Sequence, residues 1–168
     1  MTERISTPDP KFTIRFAEPG DTPLILSFIK ALAEYEDMLN LVVATTEGLK
    51  KSIFEENHAE VLIGEYEGEP VGFALFFHNY STFLGQSGLY LEDLFIYPEY
   101  RGLGLGRILL SFLAKLALKR GCGRLEWACL DWNAPSIGFY KSLGAIPMDE
   151  WTTYRLTGKA LDDLAKNK

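Results

Sequence analysis

Tyr97-Pro98-Glu99-Tyr100-Arg101-Gly102-Leu103-Gly104-Leu105-Gly106-Arg107 joins two apolar segments of different period. Upstream, Gly88–Ile96 is a short apolar run with the reading of a buried strand. Downstream, Ile108, Leu109, Phe112, Leu113, Leu116 and Ala117 recur every three or four residues, which predicts a helix over Leu105–Arg120 with one face on a sheet. The three glycines therefore lie where a helix begins. Unpaired amide N–H groups and the positive end of the helix dipole favour a phosphate there. Glycine, lacking a Cβ, lets the backbone approach the anion closely, and Arg101 and Arg107 add positive charge. A Walker loop is excluded, because Arg107-Ile108 stands where Lys-Ser/Thr is required. A dinucleotide fingerprint is disfavoured, because Leu109 occupies the place of its third glycine, although Glu126 lies about twenty residues on, as a ribose-binding acid would. A glycine turn without a ligand is the remaining alternative.

Working outward, Phe12, Ile14 and Phe16 alternate with polar residues and mark a first strand. Glu18-Pro19-Gly20 turns the chain, and Asp21 and Pro23 open a helix with Leu24, Ile25, Phe28, Ile29, Leu32 and Ala33 on one face. A short helix is predicted from Thr45 or Thr46 through Leu49, Ile53 and Phe54. Val61–Tyr66 and Val71–Tyr80 read as a hairpin across Glu67-Gly68-Glu69-Pro70. After the glycine turn and its helix come a strand at Arg124–Leu130, a helix at Ala134–Leu143, closing strands at Ile146–Glu150 and Thr152–Leu156, and a last helix capped by Thr157. This order implies an α/β fold: a mixed, mostly antiparallel central sheet with helices on both faces. Residues 1–10 are expected to be a flexible leader, and residues 11–168 a single domain.

Composition narrows the function classes. The chain has 168 residues, 47% of them hydrophobic, enough for one continuous core. A formal net charge of −6 leaves no basic field to replace phosphate counterions, so a nucleic-acid partner is disfavoured, while a cationic substrate is electrostatically compatible. Cys122 and Cys129 are too few for a disulfide framework or a zinc site, and His58 and His78 fall in no ligand pattern, so no metal is expected. Residues 1–10 lack the apolar core of a signal peptide, and no run reaches the length of a membrane span. The expectation is a cytoplasmic protein with no membrane partner.

A second stretch, Asp131-Trp132-Asn133-Ala134-Pro135-Ser136-Ile137-Gly138-Phe139-Tyr140-Lys141-Ser142-Leu143-Gly144, completes a pattern. Together with Arg101–Gly106 it resembles the GCN5-related N-acetyltransferases, in which the first motif holds the acetyl-CoA pyrophosphate and the later one carries an Asn cap and a Tyr directed at the cofactor sulfur. The likeness is closer to the diamine (spermidine/spermine) and thialysine acetyltransferases, through Ile29–Glu36, Tyr90–Phe95 and Trp132–Lys141. It runs from about Phe12 to Leu156. The resemblance implies acetyl-CoA as cosubstrate, a small cationic amine (diamine, polyamine or lysine/thialysine-like) as acceptor, direct transfer in a ternary complex, and a homodimer. Peptide acetylation and a non-catalytic acyl-CoA-binding module are the competing readings.

Roles follow from the chemistry. An alkylammonium of reference pKa about 10.4 must lose a proton before it can attack, so a proton acceptor is required. The resemblance assigns that role to Glu92 and makes Tyr35 and Glu36 the substrate-facing pair, while Asp93, the next residue along the strand, is expected on the opposite face, to bind substrate or to hold the loop. Tyr140, a phenol of pKa about 10, is the candidate general acid for the departing thiolate. Cofactor contacts are expected from Leu94, Phe95 and Ile96, where a strand bulge would aim an amide at the developing oxyanion. Arg101, Gly102, Leu103, Gly104, Leu105, Gly106 and Arg107, then Asn133, Ser136 and Tyr140, complete the set. Asp149 and Glu150 lie two or more positions from where diamine acetyltransferases carry an acid, which favours shorter diamines or thialysine-like substrates.

Overall fold

The structure, a computed structural model, describes residues 2–168. Six strands form one sheet in the order β1 (Ile5–Ser6), β2 (Phe12–Phe16), β3 (Glu60–Tyr66), β4 (Glu69–Ser81), β5 (Gln86–Ile96) and β6 (Leu125–Trp127). All neighbours are antiparallel except β5 and β6, which run parallel and so need a crossover. That crossover carries the glycine turn and helix α3 (Leu105–Lys119).

Alternation along the strands sends side chains to opposite faces, and helices meet both. On one face Val61, Ile63, Phe73 and Phe95 form a core with Ile25 and Phe28 of α1 (Thr22–Tyr35). Phe28 stacks on Phe73 with ring centroids 5.2 Å apart and planes inclined by 8°. On the other face Phe16 meets Phe112 of α3 edge-on at 6.4 Å. α2 (Thr46–Leu49) continues directly into a π-helical segment, Lys50–Glu55, which delivers Ile53 to the first core. The chain divides into two compact units, one ending at Ala128 and the other Cys129–Lys168. The second contains α4 (Ala134–Ser142) and α5 (Gly158–Ala165).

Several sequence expectations are corrected. Residues 2–10 are not simply a loose leader: Ile5 and Ser6 pair with Ile14 and Thr13, the Thr2 hydroxyl donates to Phe16 O at 2.9 Å, and Arg4 bonds the buried Glu65 at 2.8 Å. Asp21 does not cap α1, because its carboxylate is taken by Arg15 at 2.7 and 2.9 Å. Thr157 stands at the start of α5 without a side-chain cap bond. The strand expected over Arg124–Leu130 is only three residues long, since its ladder with β5 stops at Leu91. Ile146–Glu150 and Thr152–Leu156 are not strands. Alternation alone makes no strand without a ladder partner, and these residues have none among those described.

Candidate active site

The site begins with an irregularity in β5. Leu75 of β4 opposes Asp93 and Phe76 opposes Leu91, so Glu92 is an extra residue without a ladder partner, a β-bulge. It is solvent-exposed, whereas Asp93 is half-buried on the α1 face of the sheet. The bulge also opens β5 from β6. Leu89 N–H donates toward β6, to Arg124 O at 3.0 Å, and Tyr97 N–H donates toward β4, to Val71 O at 2.9 Å. Because successive residues present their amides to opposite edges, Leu94 and Ile96 aim theirs away from β4, at the edge that β6 no longer covers. Gly72 permits the close approach of β4 here, since a Cβ would strike Phe95 O and the Ile96 side chain.

The glycine turn follows within a few residues. Gly102 and Gly104 take φ of +82° and +78°, a backbone that L side chains rarely adopt. The first ladder bond of α3 is Ile108 N–H to Gly104 O at 3.1 Å, and the amides of residues 102–107 have no acceptor among the described residues. A Cβ at Gly102, Gly104 or Gly106 would meet nothing within 4 Å, so internal packing does not require these glycines. A run of unpaired amides at the N-terminus of a 15-residue helix fits an anionic diphosphate. Arg107 is exposed beside them. Arg101 is not turned that way. Its Nε–H donates to Ile96 O at 3.0 Å, and its guanidinium carbon lies 4.8 Å from the Tyr35 ring centroid and 5.4 Å from that of Phe95.

Three carboxylates act electrostatically on this part of the site. Burial, with the charges of Glu92 and Glu36 adding to it, pushes Asp93 up to about 6. Burial also raises Glu36, which follows the last residue of α1. A partly desolvated group of like charges lowers its free energy by taking up a cation. Sequence reasoning named these three residues but missed Tyr90, which lies opposite Phe77, two places from Leu75 along β4, and so shares the face of Asp93. Burial, Glu92 and Glu126 raise its hydroxyl. Alternation alone sets Tyr90 and Asp93, three residues apart, on opposite faces, and only the bulge at Glu92 brings them to one.

In the second unit, Asn133 is buried and its side chain accepts from Ser136 N–H at 3.4 Å, capping α4 as its sequence suggests. Phe139 and Tyr140 are half-buried, with ring centroids 5.6 Å apart. Among the described residues no cluster of three or more His, Cys, Asp or Glu is arranged to hold a metal ion.

The chain is similar to known proteins. Residues 29–145 match the acetyltransferase (GNAT) family. A thialysine N-epsilon-acetyltransferase of Sus scrofa is 40% identical, covering 90% of this chain and 96% of that protein. The L-ornithine N5-acetyltransferase of Arabidopsis thaliana is 33% identical over 91% of this chain and 87% of its own. Among solved structures, a Vibrio cholerae integron cassette protein superposes with a TM-score of 0.77 at 27% identity, covering 93% and 98% of the two chains. The bulged strand, the turn of unpaired amides and this shared sequence together place the chain in the acetyltransferase (GNAT) family, as an N-acetyltransferase that takes its acetyl group from acetyl-CoA.

Proposed function

We propose that the enzyme acetylates a primary amine of a small cationic substrate: a diamine, a polyamine or a lysine- or thialysine-like amino acid. The observation that carries this reading is the coupled set Glu36, Glu92 and Asp93 beside a turn of unpaired amides. The turn, residues 102–107, takes the pyrophosphate. Leu94 and Ile96, with Phe95 between them, offer their open edge to the pantetheine arm and the acetyl carbonyl. Asn133 and Ser136 fix the helix that carries Tyr140. A substrate ammonium sits against Asp93 and Glu36, and Glu92, at the solvent-exposed bulge, accepts the proton of the amine that reacts. That amine attacks the carbonyl, the N–C bond forms as the C–S bond breaks, and the Tyr140 hydroxyl donates a proton to the departing thiolate. Transfer is direct, in a ternary complex. The family match crosses the boundary between the two compact units, which supports their acting as one catalytic domain.

A homodimer belongs to the same proposal. The closing segment leaves Ile146, Met148, Trp151 and Tyr154 exposed, Trp151 to 74% and Tyr154 to 92%, an apolar strip that a second copy would cover. So does a cytoplasmic location, in keeping with Cys122 as a buried thiol.

Tyr140→Phe tests the chemistry, because it keeps the ring and deletes the hydroxyl. Turnover should fall about a hundredfold with acetyl-CoA affinity little changed. Near-normal turnover would remove Tyr140 from the mechanism.

A further inference from the structure

We infer that Arg101 is a positioning residue whose contact with Tyr35 couples the cofactor turn to the amine side of the site, so that bound cofactor tightens amine binding. The inference rests on the reading just given and concerns how its two substrates communicate.

Arg101 is the residue immediately before the run of unpaired amides. Its side chain leads away from that run. The Nε–H bond to Ile96 O fixes it to the end of β5, and the guanidinium lies over Tyr35 at 4.8 Å and Phe95 at 5.4 Å. No carboxylate pairs with it among the described residues, so the rings are not incidental to an ion pair. A planar guanidinium on an aromatic face is an attraction in its own right.

Tyr35 is the last residue of α1, and Glu36 follows it directly. The chain then turns sharply, with Asp37 at φ +56°. Whatever holds the Tyr35 ring therefore holds the backbone that presents Glu36, and the Glu36 charge already reaches Asp93. Phe95 closes the lower side of the contact. It is buried, packs edge-on against Tyr97 at 5.7 Å, and is next but one to Asp93. An anion gripping residues 102–107 restricts the turn, the turn restricts Arg101, and Arg101 restricts the end of α1. By reciprocity, an amine that fixes Glu36 tightens the cofactor by the same factor. A cation–π contact between exposed partners can carry a coupling of about two- to fivefold.

Calorimetry with coenzyme A, which cannot react, measures the coupling directly. Thialysine is titrated into the protein with and without saturating coenzyme A. In the wild type and in Tyr35→Phe, which keeps the ring, thialysine should bind about two- to fivefold more tightly when coenzyme A is present. Tyr35→Leu should bring that ratio to one. Arg101→Gln, which attacks the contact from its other side, should do the same and decides the matter if Tyr35→Leu fails to fold. A ratio that survives in a folded Arg101→Gln protein, or a ratio of one in the wild type, overturns the inference. If Tyr35 merely touched the amine, Tyr35→Leu would weaken thialysine equally with and without coenzyme A and leave the ratio intact, which also overturns it. A wild type that binds no coenzyme A at all would instead refute the proposed function.

Discussion

Asp93→Asn replaces a half-buried acid by a neutral isostere, and the effect on stability should depend on pH. Burial first, and the charges of Glu92 and Glu36 second, push the Asp93 carboxyl up to about 6, against about 3.9 for an unperturbed aspartate. At about 1.36 kcal/mol per unit, ionising it in place costs about 3 kcal/mol. The folded state binds this proton more tightly than the unfolded chain, so the carboxyl's relative contribution to stability is highest below pH 4. It is lost as pH rises from about 4 to about 6. The substitution should therefore stabilise the protein by about 3 kcal/mol at pH 7.5 and by only about 1 kcal/mol at pH 4.5. Solvation at the rim makes both upper figures. Urea unfolding at the two pH values, with coincident fluorescence and circular dichroism transitions, measures the difference. The same variant should lose affinity for the cationic substrate, a trade of stability against function. Equal stabilisation at both pH values, or a loss at pH 7.5, would refute the desolvated-carboxylate account.

Gly106→Asp tests the turn without straining it: Gly106 lies in the first turn of α3, is not among the positive-φ glycines, and a Cβ there meets nothing within 4 Å. An acid at a helix N-terminus is compatible with the fold but stands where the pyrophosphate binds. Acetyl-CoA affinity should drop at least tenfold, roughly 1.4 kcal/mol, in a protein of unchanged melting temperature, and unchanged calorimetric affinity would remove the turn from the cofactor site. The homodimer is tested by light scattering at micromolar concentration, where twice the monomer mass is expected and a monomer alone would contradict it.

The sheet and its helices were legible because local period decides them. Alternation at Phe12, Ile14 and Phe16, and three- and four-residue spacing from Ile108 to Ala117, survive in the structure to within a residue or two at most ends. The closing segment was misread because its apolar residues can form a strand only against a partner, and pairing is not a local property. The candidate site's residues could be named from the sequence, and their contacts could not. Glu36, Glu92 and Asp93 could be named from the residues around them, but their electrostatic coupling arises from the approach of the end of α1 to β5. The bulge could be anticipated, yet only the register of β4 against β5 places it at Glu92. Arg101 looked like a phosphate ligand because it adjoins the glycines. Its contact with Tyr35 depends on a tertiary approach that no spacing encodes.

Substrate choice is the central claim, and acetyl transfer measured by mass spectrometry across a set of amines tests it most directly. Wild type and Glu36→Gln would be incubated with acetyl-CoA and with diamines, polyamines, thialysine, ornithine, monoamines of equal length, and lysine-containing peptides. A carboxylate–ammonium pair in a partly buried site is worth about 1.5–3 kcal/mol. The wild type should therefore acetylate the free dications, and Glu36→Gln should raise their KM tenfold or more while changing the monoamines far less. Acetylation of peptides alone, or an equal loss for mono- and dications in Glu36→Gln, would contradict it.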